Sequence, residues 1–269
     1  MLVDISKELA EELTSTAEAL ADAARDVILP YFRQSGGLEV QNKLSTGFDP
    51  VTAADKAAEQ AMRAVLATRR PDDAILGEEF GHKSGSTGMT WVLDPIDGTR
   101  AFMSGTATWG VLIAVSDETG PRFGMIDQPY TGERFRGGLG MANWQSPRGG
   151  GALCTRTTGA LGDAILFTTF PEVGTLAERA GFEAVRDEVQ LVRYGMDCYA
   201  YALLAMGQID LVIEAGLQAY DIQGPLAVIQ GAGGIVTNWQ GGPAHDGGRV
   251  LAAANPSIHA QALEILKRF

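Results

Sequence analysis

Cysteine, histidine and basic residues are all scarce in this chain of 269 residues, and each scarcity excludes something. Two cysteines, Cys154 and Cys198, cannot supply a disulfide framework or a zinc site. Both are read as small buried apolar side chains in a reducing compartment. The three histidines, His82, His245 and His259, stand outside the motifs described below and are read as surface or loop residues. Lys and Arg number 21 against 33 Asp and Glu, a formal net charge of −12. That leaves little from which to build the basic face a nucleic acid or an anionic membrane requires. No apolar run approaches the roughly 18 residues of a membrane helix. The first residues, Met1-Leu2-Val3-Asp4, lack a basic-then-apolar leader pattern, so the expected location is the cytoplasm. Internal repeats and low-complexity tracts are also missing.

Glycine, in contrast, is abundant: 34 of 269 residues, about 13% against a usual share of roughly 7%. Without a repeat period, the excess points to tight turns and close backbone approaches. Leu9, Leu13, Ala17, Leu20, Ala24 and Val27 recur at spacings of three and four, which predicts a helix over 7–29. A second helix is expected from Ala53 to Thr68, opened by the capping box Thr52-Ala53-Ala54-Asp55 and closed by Pro71. Short strands follow at 74–76, 91–93, 109–115 and 122–126, and the Gly-rich stretch 137–151 reads as a loop between halves. Beyond it, strands at 165–170, 189–192, 210–214 and 235–239 alternate with helices at 198–206, 222–230 and 257–269. This alternation predicts α/β layering after a first half of helices and a meander. The expected organisation is a single unit over 1–269, with subdomains at about 1–140 and 141–269.

The densest chemical signal is Trp91-Val92-Leu93-Asp94-Pro95-Ile96-Asp97-Gly98-Thr99, an apolar strand ending in two acids three residues apart. Gly98-Thr99 and a helical turn put free backbone N–H groups beside those carboxylates. The N–H groups suit a phosphate and the acids suit hard divalent cations. Acids beside a phosphate cradle would repel the phosphate unless metal ions stood between them, which implies Mg²⁺. Taken alone, the segment is also read as an Asp-rich turn in which Asp97 caps a helix. Gly77-Glu78-Glu79 ends another short apolar run and alone reads equally as a solvated charge pair. Asp221 alone reads as an N-cap, and Asp55 as the third residue of its capping box.

Together, Glu78, Asp94, Asp97 and Asp221, in this order and with Gly98 and Thr99, resemble the inositol monophosphatase family of Mg²⁺-dependent phosphomonoesterases. Its two signatures correspond to Trp91–Thr99 and to Tyr220-Asp221 through Gly231-Ala232-Gly233-Gly234, and the likeness runs from the N-terminal helix to Gly242. The resemblance implies an αβαβα sandwich of the sugar-phosphatase type, two to three Mg²⁺ ions, inhibition by Li⁺ and a homodimer. It implies that Glu78, Asp94 and the Ile96 carbonyl hold the first ion, and that Asp94, Asp97 and Asp221 hold the second. Glu78 would also help with a weaker third. Gly98 and Thr99 would give backbone N–H groups to the phosphate. Asp55 would accept from the Thr99 hydroxyl, and this dyad with Glu78 would orient and deprotonate the attacking water. Lys43 would sit near the phosphate.

For the leaving group, the resemblance points to Arg193-Tyr194-Gly195-Met196-Asp197-Cys198-Tyr199, which in this family faces the alcohol part of the substrate. Asp197 stands where inositol phosphatases have a small residue, and Glu214 matches another substrate-contacting position. With Thr99-Arg100-Ala101-Phe102 and Gly124-Met125-Ile126-Asp127-Gln128-Pro129, these stretches look like the histidinol-phosphate phosphatase branch. Histidinol phosphate carries an amine and an imidazole, so the paired acids suit it; Arg193 joins the expected substrate-binding set. Alone, Asp197 reads as a helix N-cap. The rival substrates are inositol monophosphate and a nucleotide 3′-phosphate; the rival class is a catalytically silent metal- or phosphate-binding relative, against which Asp55, Glu78 and Thr99 speak. One departure stands out: Gln223-Gly224-Pro225 follows Asp221 where the family has small residues, with Pro225 expected in a first helical turn.

Overall fold

Ser6 accepts from the Leu9 amide and opens helix α1 (Lys7–Ile28), whose Leu13, Ala17, Leu20, Ala24 and Ile28 form one buried stripe. After a short antiparallel ribbon, β1 (Val40–Asn42) with β2 (Pro50–Thr52), comes α2 (Ala53–Arg69), which buries Ala54, Ala58, Met62 and Leu66. The computed structural model describes residues 5–34, 40–42, 50–170 and 172–269; Lys43 lies outside the described residues.

The two helices pack together on one face of an eight-stranded sheet. Its strands are β3 (Ala74–Gly77), β4 (Gly81–Lys83), β5 (Thr90–Asp97), β6 (Gly110–Asp117), β7 (Gly120–Gln128), β8 (Glu133–Gly138), β9 (Met141–Ser146) and β10 (Gly149–Ala152). The order is β10-β9-β8-β7-β6-β5-β3-β4, antiparallel except for β3 beside β5. A short helix, α3 (Thr99–Ser104), joins β5 to β6. The stretch 137–151 is therefore not a loop: it supplies the end of β8 and the last two strands. The large sheet runs to Ala152, and the next strand of the chain starts at Ile165.

The rest of the chain runs β11 (Ile165–Thr168), α4 (Leu176–Arg186), β12 (Leu191–Tyr194), α5 (Tyr199–Ala205), β13 (Leu211–Leu217), α6 (Ala219–Gly231), β14 (Ile235–Thr237), β15 (Gly248–Ala253) and α7 (Pro256–Leu266). A five-stranded sheet in the order β12-β11-β13-β15-β14 results. Helices α5 and α6 lie between the two sheets, and α4 with α7 cover the outer face of the small one. The layers thus read αβαβα, as expected. Helix α4 was not anticipated, although Thr175 and Glu178 form a capping box at its start.

Helix α6 explains part of the glycine excess. Residues 222–229 are buried without a break, because α6 touches β6, β7 and β8 on one side and β14 on the other. A Cβ on Gly124 would lie 2.2 Å from the Gly224 carbonyl oxygen, and one on Gly137 would lie 2.3 Å from that of Ala227. Only bare backbone lets the helix lie this close. Gly137→Val is expected to destabilise the protein by about 3 kcal/mol or more, since the clash is with backbone rather than a mobile side chain. It should also weaken divalent-metal binding, because α6 carries Asp221. Chemical denaturation and a metal titration would check both, and a wild-type stability would refute the close packing.

Three expectations need correction here. Pro225 is the seventh residue of α6 and so lies in the helix interior, not in its first turn. The missing N–H leaves the Asp221 carbonyl without its i+4 donor, yet the helix continues to Gly231 because it is buried all round. Cys154 is exposed, and only Cys198 is buried. His259 is half-buried on α7, its Nε2 2.8 Å from the Thr237 hydroxyl, whereas His82 is exposed.

Candidate active site

Residues three apart on a regular strand point to opposite faces. On β5, however, Asp94 pairs with Leu112 and Asp97 with Gly110, so one extra residue is inserted between them. This bulge turns both carboxylates to the same side and accommodates Pro95, which has no N–H to give the ladder. Asp94 is buried and its Oδ1 accepts from the Ile96 amide at 3.1 Å. Asp97 Oδ2 accepts from the Cys198 amide at 2.7 Å, which ties the strand end to the start of α5. The third acid arrives from the small-sheet side. Asp221 is the third residue of α6, and its Oδ2 accepts from the Gln218 amide at 2.6 Å. One carboxylate oxygen from each of Asp94, Asp97 and Asp221 lies within 4.8 Å of the other two.

Glu78 joins them through strand pairing. Its amide donates to the Leu93 carbonyl of β5, and its carboxyl meets that of Asp94. The turn carrying it is moored by Glu59 of α2, buried and paired to Arg63 at 2.7 Å. Glu59 accepts from the Glu79 amide at 2.6 Å and from the Phe80 amide at 3.2 Å. Sequence reasoning missed Glu59, because an acid in an Ala-rich helix reads as solvent-facing; its i+4 arginine was the available signal.

Burial pushes the Asp94 carboxyl well up, and the charges of Glu78, Asp97 and Asp221 push it further. Burial does the same to Asp97, with Asp221 and Asp197 adding to it and the Cys198 amide opposing. A cluster of oxygens that raise one another's proton affinity is relieved by a hard cation, so the donor set fits a divalent metal ion of the Mg²⁺, Ca²⁺ or Mn²⁺ kind.

Beside the acids, Gly98 at φ +80° turns the chain into α3. A side chain there would also strike Asp197, whose Cβ and Cγ lie 2.8 Å from the position of the missing Cβ. The amides of this first helical turn have no partner inside the helix and face an anion naturally. The expected Asp55–Thr99 dyad is not formed. Asp55 Oδ2 accepts from the Thr52 amide (2.8 Å) and hydroxyl (2.5 Å), while the Thr99 hydroxyl donates to the Ile96 carbonyl at 3.2 Å. Burial raises the Asp55 carboxyl to about 6, against the opposing Thr52 bonds.

A cleft of about 410 Å³ opens over these groups. Glu78, Asp94, Ile96, Asp97, Gly98, Thr99 and Asp221 line one part of it, and Asp197 and Glu214 another. Asp197, itself at φ +46°, accepts from the Thr108 hydroxyl at 2.9 Å. Its carboxyl is raised by burial, with the Arg100 charge pulling the other way. Arg100 stacks 4.8 Å from the ring centroid of Phe170 at the rim. Glu214 is buried on β13, accepts from the Thr169 amide and hydroxyl, and is pushed up to about 7 by its burial. Arg193 is exposed on β12 and does not line the cleft, nor does any histidine.

The sequence profile of the inositol monophosphatase family matches residues 9–268. The chain belongs to this family. Among its relatives, the chloroplastic bifunctional phosphatase IMPL2 of Arabidopsis thaliana is 40% identical over 98% of this chain and 80% of its own. The histidinol-phosphatase of Mycobacterium tuberculosis is 32% identical, covering 92% and 95%. An inositol monophosphatase structure from Zymomonas mobilis superposes with a TM-score of 0.84 at 39% identity, covering 96% of this chain and 98% of that one. The family consists of metal-dependent phosphatases of small phosphorylated substrates, and the chain is a phosphatase of this kind. Among the described residues, no helix is long and apolar enough to cross a membrane.

Proposed function

We propose that the protein hydrolyses histidinol phosphate to histidinol and phosphate with Mg²⁺ as its metal. Asp94, Asp97 and Asp221, with Glu78 alongside, would hold the ions. Bound there, Mg²⁺ lowers the pKa of water and neutralises charge on the phosphoryl oxygens. The chain's own groups do the rest. The Gly98 and Thr99 amides donate to the phosphate, and the Glu78 carboxylate orients the water and accepts its proton. Asp55 caps α2 through Thr52 and lies close enough to Glu78 for the two charges to repel.

The observation that carries the choice of substrate is Asp197, a carboxylate held in the cleft wall against Gly98 by a left-handed backbone and by Thr108. With Glu214 it gives the leaving-group side two acids, which suits a cationic alcohol better than a neutral polyol. The names of several relatives 30–32% identical support this reading. Inositol 1-phosphate is the second reading, supported by the Zymomonas mobilis structure at 39% identity. Asp197→Ala is expected to raise KM for histidinol phosphate by roughly 10- to 100-fold, as for the loss of a charge-assisted contact. The change with inositol 1-phosphate should be several-fold smaller. Steady-state phosphate release with both esters checks this, and equal effects on the two would refute the assignment.

A further inference from the structure

Gln223 is the one polar side chain in the buried run 222–229 of α6. Burying an amide there is costly unless both of its ends are paired, and both are. Nε2 donates to the His245 carbonyl at 3.0 Å, and the Ser116 hydroxyl donates to Oε1. A carbonyl only accepts, so the His245 bond decides which end of the amide meets which partner. Ser116 lies near the end of β6 in the large sheet, and His245 lies in the loop leading to β15 of the small one. Gln223 thus ties the start of α6 to both layers that enclose it. The tie falls where the helix's own ladder is interrupted, since Pro225 denies the Asp221 carbonyl its i+4 donor. Between them, Gly224 has to stay bare: a Cβ there would lie 3.2 Å from the carbonyl oxygens of Ile113 and Met125.

We infer that Gln223 is a positioning residue for the metal ion that Asp221 holds. Apolar packing has no direction and tolerates small slides of a helix over a sheet, whereas hydrogen bonds to two separate anchors do not. Asp221 precedes Gln223 by two residues, and its carboxylate must meet those of Asp94 and Asp97 to within about 0.5 Å for the three to share an ion. Gln223 touches neither ion nor substrate. It acts through the backbone of α6, by fixing the height and rotation at which Asp221 enters the cluster. The inference rests on the proposal above in taking Asp221 as a metal ligand, and it is independent of which ester is cleaved.

The test is Gln223→Met, which keeps the length of the side chain and removes both hydrogen bonds. Mn²⁺ titrations in the presence of inorganic phosphate, followed by the paramagnetic resonance of the free ion, would compare it with wild type and with Asp221→Asn. The ion in question is the one whose binding Asp221→Asn removes. Gln223→Met is expected to bind that ion about tenfold more weakly, the usual size of effect when a group that orients a ligand is lost. Any other ion should bind as in wild type. The Mg²⁺ concentration for half-maximal phosphate release should rise by the same factor, with the loss in the metal requirement and not in kcat at saturating Mg²⁺. Ser116→Ala breaks the tie from its other side by removing a single hydroxyl, and should weaken the same ion; it decides the matter if Gln223→Met folds poorly. A lower melting temperature with unchanged affinity for that ion, or an equal weakening of every ion, would leave Gln223 a structural role only and overturn the inference. If Asp221→Asn binds Mn²⁺ as wild type does, the proposed metal site itself fails, and the inference with it.

Discussion

Asp94→Asn is expected to lower Mg²⁺-dependent phosphate release at least about a thousandfold, while the protein remains folded. The expectation follows from where Asp94 sits. It is buried at the β5 bulge, in reach of Glu78, Asp97 and Asp221, so its charge is what makes the cluster a cation site. Asparagine has the same shape, and its carbonyl oxygen still accepts from the Ile96 amide. It removes one of the mutually repelling charges, so without metal the melting temperature should stay level or rise. With Mg²⁺ present, the ligand-induced rise in melting temperature should shrink, because stabilisation by a ligand follows its affinity. Phosphate assays and paired melts with and without Mg²⁺ would measure both. Activity near the wild-type level would remove Asp94 from the metal site.

Arg134→Met is expected to cost about 3–5 kcal/mol of stability. Arg134 lies on β8 almost without solvent contact and binds Asp127 through Nε at 2.7 Å and Asp22 through Nη2 at 2.8 Å. It also reaches Glu18, which bridges to Arg136, so the cluster joins α1 to β7 and β8. Asp127 is fully buried and its carboxyl is already raised by that burial against the pull of Arg134. Without the arginine, Arg25 at 3.3 Å is left, among the described residues, to offset the buried charge. Adding Asp127→Asn to the variant should recover part of the loss, because the stranded charge goes with it. Urea unfolding of the two variants would test this. A loss below about 1 kcal/mol would place the pair among surface ion pairs of little consequence.

Most of the elements were legible in the sequence because their signals are local. Apolar spacing and capping residues marked α1 and α2 to within a residue or two, and Asp94, Asp97 and Gly98 announced a strand end. What stayed hidden depends on contacts between residues distant in sequence. Gly137 reads as a turn residue, yet it sits in β8 because α6, some 90 positions later, needs its bare backbone. Glu59 reads as a solvent-facing acid until the turn after β3 folds onto it. Asp55 illustrates the opposite difficulty: its local pattern, a capping box, describes its hydrogen bonds here, whereas the family likeness led to Thr99 instead. Arg193 was taken along with its motif, but β12 is an edge strand and leaves its side chain in solvent. The αβαβα order itself followed from likeness to a family, since helix–strand alternation alone does not say which helix lies between the two sheets.

The placement of α6 also bears on the order of events during synthesis. It is the helix that covers β6, β7 and β8 from the inside, yet it follows β8 by roughly 80 residues. At about 5–20 residues per second on a ribosome, that face of the sheet waits roughly 4 to 16 s for its cover. In the interval Leu112, Ile126 and Phe135 stand open to water. The nascent N-terminal half is thus a natural client for chaperones, although the finished protein shows no trace of that surface.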